Sequence, residues 1–167
     1  IEPTTSCNLR CPECPSGLRS FTRPTGMLNV DHACRWIDEL APWLTYVNLY
    51  FQGEPLLHPK LDQLIAQCHR HGIYSSTSTN AHHLTEAKCH ALIDAGLSRL
   101  IVSIDGLTQE TYASYRVGGT LTKVMEGTRN MVEAKRHKSR GPHLVRQFLV
   151  VGPTEHERPD LLEAASE

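Results

Sequence analysis

Three runs rich in β-branched and aromatic residues begin at Thr45, Ile73 and Arg99, and helical apolar periodicity fills the gaps between them. Their spacing of 26–28 residues is the length of one strand–helix unit. Successive units of that kind build a parallel sheet with helices packed outside it. The pattern predicts a helix from Asn29 through Trp36, Ile37 and Leu40, ending near Pro42. A strand Thr45–Phe51 follows, then a helix opened by Pro59 and closed by Gly72, and a strand Ile73–Thr79. Thr85 caps the next helix and Gly96 ends it. The nearly unbroken apolar run Arg99–Ile104 reads as a strand buried on both faces. Beyond it the pattern predicts a short helix over Thr108–Tyr115 and a longer one from Leu121 to His137. A strand Leu144–Val151 and a helix starting over Pro159–Ala165 complete the chain.

The expected fold class is α/β, either a doubly wound sheet or a TIM-like barrel of βα units. No G-x-G-x-x-G follows any strand, so the dinucleotide-binding version lacks its fingerprint. In both architectures ligands gather beyond the carboxyl ends of the strands. Gln52-Gly53-Glu54-Pro55, Ser78-Thr79-Asn80 and Ser103-Ile104-Asp105-Gly106 fall at those ends, so polar groups converge on one rim. The 167 residues read as one domain, and a net charge of -1 selects neither nucleic acid nor an acidic membrane as partner. No apolar run reaches the roughly 18 residues of a spanning helix, and no signal-peptide pattern opens the chain. It begins at Ile1 and ends in a helix-like stretch, so it reads as part of a longer polypeptide.

Six cysteines are present, three of them crowded into eight residues. Cys34, Cys68 and Cys89 stand singly in helix-like segments, where they read as reduced, partly buried small hydrophobes. That layout is unlike a secreted disulfide scaffold and points to a reducing, cytoplasmic compartment. Cys7-x3-Cys11-x2-Cys14 puts three thiols on one short loop. Structural zinc sites want four protein ligands, usually as two spaced pairs, and Cys34 with His32 forms no second pair. Iron–sulfur clusters are held by cysteines at this kind of spacing, and three ligands leave one iron of a four-iron cube open. The cluster is the leading expectation, and a zinc-stabilised or degenerate cofactor-binding βα domain is the alternative.

IEPTTSCNLRCPECPSG resembles the cluster loop of the radical S-adenosylmethionine enzymes, especially the subgroup that carries a SPASM domain. The likeness runs on through GEPLLHP, STSTN, SIDG and ETYASYRVGGTLTKVMEGTRNM, in order and over nearly the whole chain. It implies a partial barrel of the radical SAM type, a core domain over 1–167 truncated at both ends, and a fragment that does not turn over substrate by itself. The implied cofactors are a 4Fe–4S cluster on Cys7, Cys11 and Cys14, and S-adenosylmethionine chelated through its methionine end by the open iron. In that family one electron breaks the sulfonium C–S bond, and the resulting 5′-deoxyadenosyl radical abstracts a substrate hydrogen.

The resemblance also assigns cofactor contacts. Gly53, Glu54 and Pro55 match the element that meets the methionine amino group, and a carboxylate there suits an ammonium. Ser103 and Asp105 would face the ribose and the carboxylate end of the cofactor. Arg116 would pair with its carboxylate, and Thr79 and Asn80 would lie nearby. Val150 and Val151 read as core rather than as neighbours of the adenine, and His69, His71, His82 and His83 as helix and loop surface. Glu13 stands where the family commonly places an aromatic residue before the third cysteine. The implied partners are an external one-electron reductant and a substrate for which a peptide or protein is the first class.

Overall fold

A computed structural model describes residues 1–164 of the chain. Four parallel strands form one sheet in the order β1 (Tyr46–Asn48), β2 (Tyr74–Thr79), β3 (Arg99–Ser103) and β4 (His143–Gln147). Register runs evenly across it, with Val47 beside Ser75, Thr77 beside Leu100 and Ile101 beside Val145. The connections are helical, as parallel pairing requires. A short α1 (Pro15–Leu18) and α2 (Val30–Leu40) precede β1. α3 (Leu61–Arg70) links β1 to β2, and α4 (Glu86–Asp94) links β2 to β3. α5 (Gln109–Tyr115) and α6 (Leu121–Lys138) lie between β3 and β4, and α7 (Leu161–Ala164) follows a 3-10 stretch over Gly152–Asp160.

Helices α2, α3, α4 and α6 pack on one another in that order, in step with the strands. Strand order therefore never reverses, and one helical layer lines the sheet. That is the partial-barrel solution rather than the doubly wound one. The core lies between the two layers, where Ile37, Leu64, Ile65, Leu92, Val124 and Met131 meet Val47, Leu100 and Val102. Cys68 and Cys89 are buried in it as free thiols, and burial pushes them up to about 11 and about 12. Such thiols are packing groups rather than nucleophiles.

Local signals explain most boundaries. The Asn29 side chain accepts from His32 N–H at 3.0 Å to start α2, and Thr85 accepts from Lys88 N–H at 3.3 Å to start α4. Thr108 and Thr111 cap α5 reciprocally. Three expectations need correction. β1 is shorter than Thr45–Phe51, because the chain beyond Leu49 bends out and leaves Phe51 exposed. β4 stops at Gln147, since the Asp105 carboxylate captures the Leu149 N–H at 2.7 Å; Val150 is then 47% exposed and is not core. Pro159 belongs to the 3-10 stretch, α7 starts only at Leu161, and Ala165 lies outside the described residues. Among the described residues no helix is long and apolar enough to cross a membrane.

The layered core carries the stability. Leu100→Ala, at a fully buried centre of β3, is expected to cost about 3 kcal/mol in urea unfolding. Trp43→Ala, at a side chain 78% exposed, should stay within about 0.5 kcal/mol. Equal losses for the two would refute this placement of the core.

Candidate functional site

At the carboxyl ends of the strands a cavity of about 270 Å³ opens between the sheet and the N-terminal loop. Cys7, Cys11 and Cys14 line it together with Gly53, Glu54, Thr79, Asn80, Ser103 and Arg116. Residues separated by more than a hundred positions in sequence thus share one wall, because each follows a strand or belongs to the loop laid across their ends. Pro55 and Asp105 do not line it. Pro55 instead starts the 3-10 turn Pro55–Leu57, and Asp105 is fully buried behind Arg116.

The cysteine loop has little regular structure of its own and is held from outside. Its Arg10 N–H donates to the Val117 carbonyl at 2.9 Å, and Cys14 N–H donates to Cys11 O at 3.2 Å. On one side Gly17 of α1 presses so close that a Cβ would sit 2.4 Å from Cys11 O. On the other, a Cβ at Gly53 would sit 2.0 Å from Thr4 O. Both glycines are required by close backbone approach. All three thiols are free. Burial pushes Cys7 and Cys11 above the usual thiol range, and the guanidinium of Arg116, 3.8 Å from Cys11 Sγ, opposes this at Cys11. Deprotonation of these groups would therefore accompany metal binding rather than precede it.

Opposite the thiols stands Glu54, 3% exposed. Its Oε1 accepts from Leu56 N–H at 3.0 Å and from the Thr79 hydroxyl at 2.7 Å, while Oε2 accepts from Asn80 N–H at 2.8 Å. Burial nevertheless dominates and raises its carboxyl above the ordinary range, against the pull of those donors. A cation entering the cavity would favour the charged form. Arg116 Nε pairs with Asp105 Oδ2 at 2.5 Å, and Asp105 Oδ1 holds the start of the segment after β4 through Leu149 N–H. Both oxygens of Asp105 are thus committed to protein donors, and its effect on the cavity runs through Arg116.

Among the described residues no three His, Cys, Asp or Glu side chains converge on the space of a single metal ion. A four-iron cube distributes three cysteines over three irons, so its ligands stand farther apart than those of one zinc. A loop of three free thiols around a cavity fits the wider centre. A family model described as "Radical SAM superfamily" matches residues 1–165. The chain belongs to that superfamily. Radical SAM proteins are enzymes that use a 4Fe–4S cluster and S-adenosylmethionine, the cofactor pair that the resemblance implied.

Curated relatives agree with that membership. An "AdoMet-dependent heme synthase" of Methanosarcina barkeri is 33% identical over 75% of this chain and 36% of its own length. A "GTP 3',8-cyclase" of Hydrogenovibrio crunogenus is 36% identical over 76% of this chain and 39% of its own. A "PqqA peptide cyclase" of Rhodopseudomonas palustris is 32% identical over 71% and 31% respectively. The chain therefore spans less than half the length of these relatives. Among solved structures, Streptococcus suis SuiB bound to S-adenosylmethionine superposes with a TM-score of 0.74 at 15% identity, covering 99% of this chain and 37% of that one. Native anSMEcpe with bound AdoMet and a peptide gives 0.70 at 19% identity, covering 99% and 45%. At these identities the likeness establishes the fold, a partial radical SAM barrel.

Sequence reasoning passed over several cavity residues, among them Gly17, Tyr50, Tyr115 and Gln147. Gly17 had an available signal in its position three residues after the last cysteine, whereas Gln147 has none, since only the early end of β4 places it on the rim. His82, expected on a loop surface, is half-buried and hydrogen-bonded at both ring nitrogens. The close approach at Gly53 makes a direct prediction. Gly53→Ala must push the Thr4 backbone ahead of the cysteine loop aside and is expected to cost about 2 kcal/mol in urea unfolding. Gly152→Ala, where a Cβ meets open space, should change stability by less than about 0.5 kcal/mol. Equal tolerance of both changes would mean that the loop is not packed on Gly53.

Proposed function

We propose that the chain is the catalytic core of a radical SAM enzyme, in which Cys7, Cys11 and Cys14 ligate the cluster and the opposite wall grips S-adenosylmethionine. The observation that carries this reading is the meeting of three free thiols with a buried carboxylate and a guanidinium in one cavity. The chemistry that the cofactor pair supplies when bound is one-electron cleavage of the sulfonium C–S bond and hydrogen abstraction by the 5′-deoxyadenosyl radical. The protein's part is to bind, orient and shield.

Glu54 receives the ammonium of the methionine moiety, with Gly53 letting the cysteine loop lie close to this wall and Pro55 starting the turn that brings the Leu56 N–H onto the carboxylate. Thr79 and Asn80 hold that carboxylate in place, and Ser103 offers a hydroxyl on the same wall. Arg116 is steered by Asp105 toward Cys11 and the cavity, where a guanidinium suits the cofactor carboxylate. Asp105 thus belongs to the binding set as the partner that aims Arg116. Phe51 and Tyr115 add aromatic surface to the rim, on a chain whose residue before the third cysteine is Glu13.

The reading extends to the SPASM-associated subgroup and to a peptide or protein substrate. Support comes from similarity to a peptide cyclase and from the fold shared with a structure holding a bound peptide. It further assumes an external one-electron reductant and a cytoplasmic location, in keeping with free cysteines throughout the described chain. Zinc stabilisation without radical chemistry is the competing reading, and membership of the radical SAM superfamily counts against it.

Anaerobic reconstitution of the full-length protein with iron and sulfide tests the proposal. We expect about four irons per chain, a broad brown absorbance, and 5′-deoxyadenosine on addition of dithionite and S-adenosylmethionine. Cys11→Ala should lose the chromophore, and Arg116→Leu should weaken S-adenosylmethionine binding about tenfold in equilibrium dialysis. Stoichiometric zinc without a chromophore would overturn the reading, and a Cys11→Ala protein that kept its cluster would show that the ligands are wrongly assigned.

A further inference from the structure

The turn after β2 is strained, and the strain has a use. Ala81 adopts φ 61 while 1% exposed, a left-handed backbone that disfavours any residue carrying a Cβ. Two neighbours hold it there. Ala81 N–H donates to the Thr79 hydroxyl at 2.9 Å, and α6 is packed so tightly that a Cβ at Gly127 would lie 2.6 Å from the Ala81 carbonyl. Strain of this kind persists only where the surroundings over-determine it.

The turn brings His82 back onto the side chain of Asn80. Its backbone N–H donates to Asn80 Oδ1 at 3.2 Å, and ring Nδ1 lies 3.1 Å from the same oxygen and 3.0 Å from the Asn80 carbonyl. The other ring nitrogen, Nε2, accepts from Thr120 N–H at 2.9 Å, just before α6. A neutral imidazole that accepts at Nε2 carries its proton on Nδ1. Burial lowers the pKa of His82, which favours that neutral form. Two donors therefore converge on Asn80 Oδ1, and its amide nitrogen must point the other way. There Asn80 Nδ2 donates to Asn8 Oδ1 at 2.8 Å and lies 4.0 Å from Cys7 Sγ. With the amide reversed, Oδ1 would face an acceptor oxygen and the sulfur, and the NH₂ group would face two donors.

We propose that His82 is a positioning residue that fixes the amide of Asn80, so that an N–H donor is aimed at the cysteine loop beside Cys7. This rests on the reading that Cys7 ligates the cluster. Donors near a ligand sulfur set the potential and orientation of a metal site. Losing the donor should make the cluster harder to reduce.

Two substitutions separate the halves of the ring. In His82→Asn the amide nitrogen takes the place of Nδ1 and can still donate to Asn80, while in His82→Gln the carbonyl oxygen takes the place of Nε2 and can still accept from Thr120. The first readout needs no metal. Iodoacetamide alkylation of Cys7 in the metal-free full-length protein is followed by mass spectrometry on the tryptic peptide that ends at Arg10, with the peptide carrying Cys11 and Cys14 as reference. His82→Ala and His82→Gln should alkylate Cys7 about twofold more slowly than the parent, because the reacting thiolate loses an N–H donor, and His82→Asn should stay near the parent. The second readout is the reduction potential of the reconstituted cluster, expected to fall in His82→Ala and His82→Gln only. An unchanged Cys7 rate in His82→Ala, or equal Cys7 rates in His82→Asn and His82→Gln, would overturn the assignment. A parent protein that assembles no cluster would sink the functional reading instead, and the metal-free measurement would still judge His82.

Discussion

The buried carboxylate of Glu54 is the joint on which the site depends. It collects a backbone N–H from its own turn and two donors from the end of β2, so one side chain ties the mouth of β1 to the mouth of β2. Burial makes its charge costly, and three donors only partly offset that cost. A protein that keeps such a group in a cavity beside free thiols retains an unspent attraction for a cation. The remaining polar groups arrange themselves around this one. Asn80 gives its backbone to Glu54 and its side chain to the cysteine loop, while Asp105 and Arg116 balance each other on the far side.

The sheet explains why such distant residues meet. Parallel strands in unbroken order deliver every carboxyl end to the same rim. The loop that carries the thiols then needs only to lie across that rim. It does so without strands or long helices of its own, through backbone contacts to Gly53, Gly17 and Val117. The site is thus a seam between a rigid sheet edge and a loop that borrows its shape.

What could be read from sequence followed the range of the interactions. Asn29 and Thr85 act on residues three positions away, so their helices were legible from local pattern. The run Arg99–Ser103 announced a buried strand through its own composition. Motif residues such as Glu54, Ser103 and Arg116 were found by likeness, and the cavity brings them together with the cysteines. The apolar run overstates β4 because the strand's end is set against Leu149 by Asp105, 44 residues earlier in the chain. Nothing in Leu149 or Val150 signals that capture. His82 reads as surface for the same reason. Its partners are a backbone N–H at the start of α6 and an amide whose orientation no local pattern specifies. Architecture was written in periodicity, and the aiming of side chains was written in contacts between segments far apart.

The two tight glycines bear on how such a site is mapped by mutation. Alanine scanning treats the methyl group as the zero of the scale, a residue from which everything has been removed. At Gly17 and Gly53 that zero is misplaced, because alanine adds volume where the Cys11 and Thr4 backbones already fill the space. A scan would score both positions as severe and invite the conclusion that they touch the chemistry. Clearance, the gap that lets two backbones pass, is enough by itself to produce that score, and it is invisible to any method that measures a residue by what its side chain does.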